Sequence, residues 1–124
     1  MLNKKNFYIN GKWVKPDSEK EIKVINPANE DVCALITLGN KKDVDTAVFA
    51  AKDAFKLWGY SSKEERIDYL EKLYTLYKQR WDDFTNAIVL EMGAPKEFAS
   101  KLQVGAGAAH IKSFIKYLKE FNFD

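Results

Sequence analysis

The apolar residues of this chain change their period near residue 40. Before that point they tend to alternate, and after it they recur every three or four positions. A period of two marks a strand with one covered face, and a period of 3.6 marks a helix. Residues 7–14 (FYINGKWV) open the β-rich part. Asn10-Gly11 is the preferred pair for a type I′ turn, because both central residues need positive φ. With that pair at the tip, Ile9 faces Lys12, Tyr8 faces Trp13 and Phe7 faces Val14. The residues flanking such a turn form a hydrogen-bonded pair, so Tyr8 and Trp13 are expected as a close, non-hydrogen-bonded aromatic pair. A lone hairpin is only marginally stable in water, so this one must lean on another element.

Pro16-Asp17-Ser18 reads as a loop. Residues 21–26 (EIKVIN) read as a strand through Ile22, Val24 and Ile25 that stops before Pro27, since the residue ahead of a proline avoids the helical region. Residues 31–38 (DVCALITL) make a further strand. Val32, Ala34, Ile36 and Leu38 fall on one face of it, and Cys33, Leu35 and Thr37 on the other.

Val44, Ala47, Val48, Ala51, Phe55 and Trp58 then follow a helical stripe, which predicts a helix over residues 41–58 with Gly59 as its stop. Ser62 and Glu65 have the spacing of a capping box, and Ile67, Leu70, Leu73, Tyr74 and Tyr77 continue behind them. Trp81, Phe84, Ala87, Ile88 and Met92 keep the spacing but shift its phase, so a break is expected near residues 80–82. Gly93-Ala94-Pro95 ends that segment and starts another, because proline suits a first helical turn. The last helix is expected over 95–120, with Phe98, Leu102, Ala106, Ala109, Phe114 and Leu118 among its apolar positions and Phe121 just beyond. Gly105 and Gly107 inside it cost about 1 kcal/mol each, and they leave room for a close neighbour. The fold class is α+β, mostly helical: an antiparallel hairpin and strands, then about four helices. The chain reads as a single unit, 1–124, β-rich over 1–40 and helical over 41–124.

Charge and composition narrow the function. The 124 residues carry 20 basic and 18 acidic side chains, mixed along the chain, so the clustered basic face of a nucleic-acid binder is missing. No apolar run approaches the ~18 residues of a membrane span, and MLNKKNFYIN lacks a signal-peptide core. A cytoplasmic protein with no nucleic-acid or membrane partner is expected. One cysteine and one histidine exclude an intrachain disulfide and a Cys/His zinc site.

Catalytic groups are hard to find. Gly105-Ala106-Gly107 lacks a third glycine at dinucleotide-binding spacing and does not follow a strand. Cys33 would need an adjacent base and a lowered pKa to act as a nucleophile, and in an apolar strand it reads instead as a small buried hydrophobe. His110, between Ala106 and Phe114 on its helix face, reads as a half-buried or surface residue. Glu64-Glu65, Asp82-Asp83 and Glu91 read as solvated faces and helix-end charges. No catalytic and no cofactor-binding residue is assigned.

The order of motifs says more. FYINGKWV, EIKVINPANEDV, NKKDVDTAVFAAKDAFKLW, KEERIDYLEKL and LEMGAP, in that order and with those gaps, resemble the N-terminal region of the NAD(P)-dependent aldehyde dehydrogenase superfamily over nearly the whole chain. The resemblance implies the opening part of a cofactor-binding domain in a longer parent. In that parent, a cysteine thiolate attacks an aldehyde, a hydride leaves the hemithioacetal for nicotinamide, and water hydrolyses the thioester. The groups that do this lie downstream in the family, and Cys33 matches an early strand and not the nucleophile. The resemblance therefore implies NAD or NADP for the parent, none for this chain, and a catalytically silent segment. It also implies a monovalent-cation site from the backbone carbonyls of Val24 and Ile25 with the Glu91 carboxylate. Glu91 stands where relatives known for this site commonly have aspartate, and a helix-end surface charge is its other reading. The expected partners are the remainder of the enzyme or a second copy: helices cut from a larger domain would expose apolar surface and self-associate.

Overall fold

The structure, a computed structural model, describes residues 2–123. It divides into two compact units, Met1–Tyr60 and Ser61–Asp124. The change from strand to helix falls at Asn40, and the division between units falls one helix later.

The first unit holds five strands and a helix: β1 (Leu2–Lys4), β2 (Phe7–Ile9), β3 (Lys12–Val14), β4 (Glu21–Ile25), β5 (Val32–Thr37) and α1 (Lys41–Trp58). β2 and β3 form the expected hairpin, in the register Phe7–Val14, Tyr8–Trp13, Ile9–Lys12. Asn10 and Gly11 take φ of 51° and 74°, as the type I′ turn requires. The Tyr8 and Trp13 rings sit 5.2 Å apart, tilted by 60°. The hairpin leans on α1 through β2, and its turn and the helix alanines Ala47, Ala50, Ala51 and Ala54 line a groove between them.

The other strands make a three-stranded sheet in the order β1-β5-β4, with β1 parallel and β4 antiparallel to the central strand. Between Val24 and Ile25 the register slips, from Ala34 to Val32, so Cys33 is the extra residue of a β-bulge. The bulge upsets the simple alternation expected of β5. Cys33, Ala34 and Thr37 are buried, whereas Ile36 and Leu38 are exposed.

α1 starts and ends where its periodicity places it. Asn40 caps it: its side chain accepts from the Asp43 N–H, and the Asp43 carboxylate accepts from the Asn40 N–H. No residue of α1 is buried, and Phe49 and Leu57 are 75% and 85% exposed.

The second unit is helical: α2 (Lys63–Gln79), α3 (Trp81–Met92), a short turn α4 (Lys96–Phe98), a π-helical stretch (Ala99–Val104) and α5 (Gly105–Glu120). Ser62 caps α2 by accepting from the Glu65 N–H at 3.0 Å. The break at Arg80 separates α2 from α3, and Gly93, in the left-handed region at φ 62°, ends α3. α4, the π-helical stretch and α5 run on without interruption as the fourth helix.

The core of that last helix differs from the apolar stripe its sequence suggests. Phe98, Leu102, Phe114 and Phe121 are exposed, and Ala99, Val104, Ala108 and Ile115 are buried. Val104, Ala108 and Ile115 keep regular α-helical spacing, so the buried stripe of α5 lies beside the predicted one, and the π-helical turn accounts only for the step from Ala99 to Val104.

Candidate functional site

The first unit contains one dense polar cluster, where the loop after β3 meets the start of α1. Asp43 Oδ1 accepts the Asp17 N–H at 2.7 Å, and Oδ2 accepts the N–H groups of Asn40 at 2.9 Å and Ser18 at 3.4 Å. The Asp17 carboxylate accepts from Asn40 Nδ2 at 2.9 Å and from Lys42 Nζ. The donors set the proton affinities. The Asn40 N–H first, then that of Asp17, hold the Asp43 carboxyl below the usual range. The Lys42 ammonium, then the Asn40 amide, hold Asp17 below it, and Asp17 in turn raises the Lys42 ammonium. A carboxylate stabilised this way is a poor proton acceptor. The cluster ties a loop to a helix start and is not built for acid–base work.

Cys33 is 7% exposed, and its thiol donates to the Val24 carbonyl at 3.3 Å. The sulfur is thus turned inward, away from any incoming carbonyl. His110 is exposed on α5. Val24 and Ile25 lie at the bulged end of β4, beside a turn closed by Asn26 N–H to Asp31 O at 2.9 Å and Glu30 N–H to Asn26 O at 2.8 Å. Glu91, the third residue of the expected cation site, belongs to the second unit, exposed in the last turn of α3. Among the described residues, no group of three or more His, Cys, Asp or Glu side chains could hold a metal ion. No helix among them is long and apolar enough to cross a membrane.

The Gly105-Ala106-Gly107 run sits inside continuous helix. A Cβ placed on Gly107 would lie 2.3 Å from the Tyr77 hydroxyl, so the space beside this glycine is filled by a phenol. A pyrophosphate needs open backbone N–H groups at a strand-to-helix turn, so these residues do not fit a nicotinamide dinucleotide.

In the second unit, Tyr77 stacks on Phe84 at 4.4 Å and meets Trp81 edge-on at 6.3 Å. Its hydroxyl donates to the Val104 carbonyl at 3.1 Å, and burial pushes its pKa up. Trp81 Nε1 donates to Ser100 Oγ at 2.9 Å. Gln103 Oε1 is buried with no donor.

Two of these features were open to the sequence in different degrees. The Asn40–Asp43 cap was missed, although Asn-x-x-Asp ahead of an apolar stripe is a helix-start pattern that could have found it. For the Tyr77–Gly107 contact the helical glycine signalled a close neighbour, but nothing in the sequence named Tyr77, thirty residues away, as that neighbour.

The aldehyde dehydrogenase family model matches residues 13–123. The chain belongs to the aldehyde dehydrogenase family. The match to the N-terminal part of these enzymes agrees with the order of motifs. A 3-succinoylsemialdehyde-pyridine dehydrogenase of a Pseudomonas species is 39% identical, covering all of this chain and 26% of that protein. An aldehyde dehydrogenase structure from Bartonella henselae is 45% identical, with a TM-score of 0.97 over 99% of this chain and 26% of its own. Aldehyde dehydrogenase C of Pseudomonas syringae, solved with NAD+ and octanal, is 38% identical, with a TM-score of 0.93 over 96% of this chain and 24% of its own. This aldehyde dehydrogenase segment thus spans about a quarter of the length of the relatives it matches.

Proposed function

We propose that the chain is the scaffold-forming opening of an NAD-dependent aldehyde dehydrogenase, whose whole protein oxidises an aldehyde to a carboxylic acid through a cysteine thiohemiacetal, and that this segment alone turns nothing over. The observation that carries the reading is the family match over residues 13–123 in a chain a quarter as long as its relatives. Three local facts support silence. Cys33 is buried with its sulfur turned to the Val24 carbonyl, the acidic cluster around Asp43 is a poor base, and the glycine run does not fit a dinucleotide. The NAD+ and octanal held by the Pseudomonas syringae relative support NAD as the parent's cofactor. A cytoplasmic location belongs to the same reading.

The test is absorbance at 340 nm with NAD+ and a series of aldehydes, first with this chain of verified mass, then after mixing with a separately produced polypeptide covering the other three-quarters of a relative. The expected result is no reduction alone and turnover only in the mixture. NAD+ reduction by the chain alone, whether or not it survives Cys33→Ala, overturns the proposal.

A second reading, self-association as an assembly module, is favoured by the exposed apolar side chains of α1. Val44, Val48, Phe49, Phe55 and Leu57 all face solvent, and such a run marks an interaction surface. Sedimentation velocity decides it: a concentration-dependent rise above the monomer supports association, and a single monomer boundary with no binding of an apolar dye removes it.

A further inference from the structure

The fourth helix poses a packing problem that its π-helical stretch solves. Ala99 and Val104 are both wholly buried, yet they are five residues apart. At 100° per residue an α-helix would separate them by about 140°. Bonding from i to i+5 widens the turn and brings both onto the stripe that continues through Ala108 and Ile115. It also lets Ser100 meet the Trp81 indole. The widened turn therefore holds two halves of one helix in phase with two different neighbours, α3 and α2.

A widened turn contains one residue more than the α-helical path needs, and the helix backbone alone does not say where that residue must sit. Local side chains add nothing that fixes the position, since Gln103 Oε1 finds no protein donor there. Something outside the helix must hold the turn. The contact at the right place is the Tyr77 hydroxyl, which donates to the carbonyl of Val104, the last residue of the π-helical stretch. The ring is aimed by its stack on Phe84 and its edge contact with Trp81. Its hydroxyl and Cζ fall 2.3 and 2.9 Å from where a Gly107 side chain would begin.

We propose that Tyr77 is a register pin: its hydroxyl fixes where the π-helical turn ends by holding the Val104 carbonyl, and Gly107 must be glycine because that hydroxyl occupies the side-chain space. Without the pin, the extra residue migrates along the helix, and residues 96–104 rotate relative to α5. The face these residues present to α3 is then no longer single. The inference concerns a conformational device in the fold and is independent of the catalytic reading above.

Site-resolved amide exchange on the 124-residue chain tests it. Tyr77→Phe keeps the ring stack and removes only the hydroxyl. Expected is faster exchange at residues 99–108 by about five- to tenfold, the worth of one intramolecular hydrogen bond, with the first half of α2 changed by less than about twofold. Unchanged rates at 99–108, or equal acceleration throughout the unit, would overturn the pin and leave Tyr77 as packing. Gly107→Ala supplies a second arm through denaturant midpoints. It should destabilise the native background more than the Tyr77→Phe background, because the hydroxyl it strikes is gone from the latter. Equal losses in the two backgrounds, including failure of both to fold, would also overturn the proposal.

Discussion

Replacing Gly11 isolates the energetics of the type I′ turn, because a Cβ added there meets nothing within 4 Å. Any cost must come from the backbone, whose φ is 74°. Placing an L-residue with a Cβ in the left-handed region costs about 1–2 kcal/mol. Removing glycine from the unfolded chain returns about 0.4–1 kcal/mol by lowering its entropy. Gly11→Ala should then lose about 0.5–1 kcal/mol net. Gly11→Asn should lose less, since asparagine tolerates this conformation. Gly11→Val should lose more than about 1 kcal/mol, because a β-branched residue resists positive φ. For a unit of this size, each 1 kcal/mol moves the thermal midpoint by about 4–8 °C. Near-ultraviolet circular dichroism follows the melt through the Tyr8–Trp13 pair, whose rings lie 5.2 Å apart. The order Asn, Ala, Val is the essential result. A midpoint unmoved by valine, or three equal losses, would show that the turn conformation is not what holds the hairpin to α1.

The remaining predictions concern pH and the helical core. Asp17 and Asp43 titrate below their unfolded value of 3.8, so their contribution is present above about pH 3.8 and is lost as pH falls through the lower folded values. The thermal midpoints of the native chain and Asp43→Asn should therefore differ at pH 6 and converge near pH 2; a constant gap would refute the assignment. Lys42 titrates above 10.5, so its share is present below that pH and disappears as pH rises past the raised value, a loss that Lys42→Met should abolish. In the second unit, Val104→Ala should lose about 1.5–3 kcal/mol in urea denaturation, since two methyl groups leave a fully buried site. Phe49→Ala, on an exposed α1 position, should stay within about 0.5 kcal/mol, and a larger loss would mean that the α1 face is covered after all.

Local chemistry was legible along the chain. Asn10-Gly11 announced its turn, the stripe from Val44 to Trp58 located α1 to the residue, and the phase shift after Tyr77 marked the break at Arg80. What could not be read were effects between distant segments. β1 is only three residues, LNK, and nothing in them announces a parallel partner at Ala34 to Ile36. The bulge at Cys33 arises from the pairing of two strands, so neither strand shows it alone. The fourth helix misled most: along α5 two apolar stripes run side by side, and the buried one carries Ala108 and Ile115 while Phe114 faces out. The family resemblance was legible for another reason: it rests on the order of five ordinary motifs, none of which carries chemistry by itself. The dense cluster around Asp43 was not legible, because Asp17 and Ser18 reach the helix start only in the fold.

The three-stranded sheet has a consequence for how the chain is made. Its outer strand β1 is made before its partner, and it has nothing to pair with until Ala34, Leu35 and Ile36 have followed. Until then the leading residues wait with their backbone groups open, while the hairpin at Asn10-Gly11 can close at once from neighbours in sequence. Assembly of this unit therefore runs out of order with synthesis: β1 and β4 both wait for β5, the strand between them, which is made last.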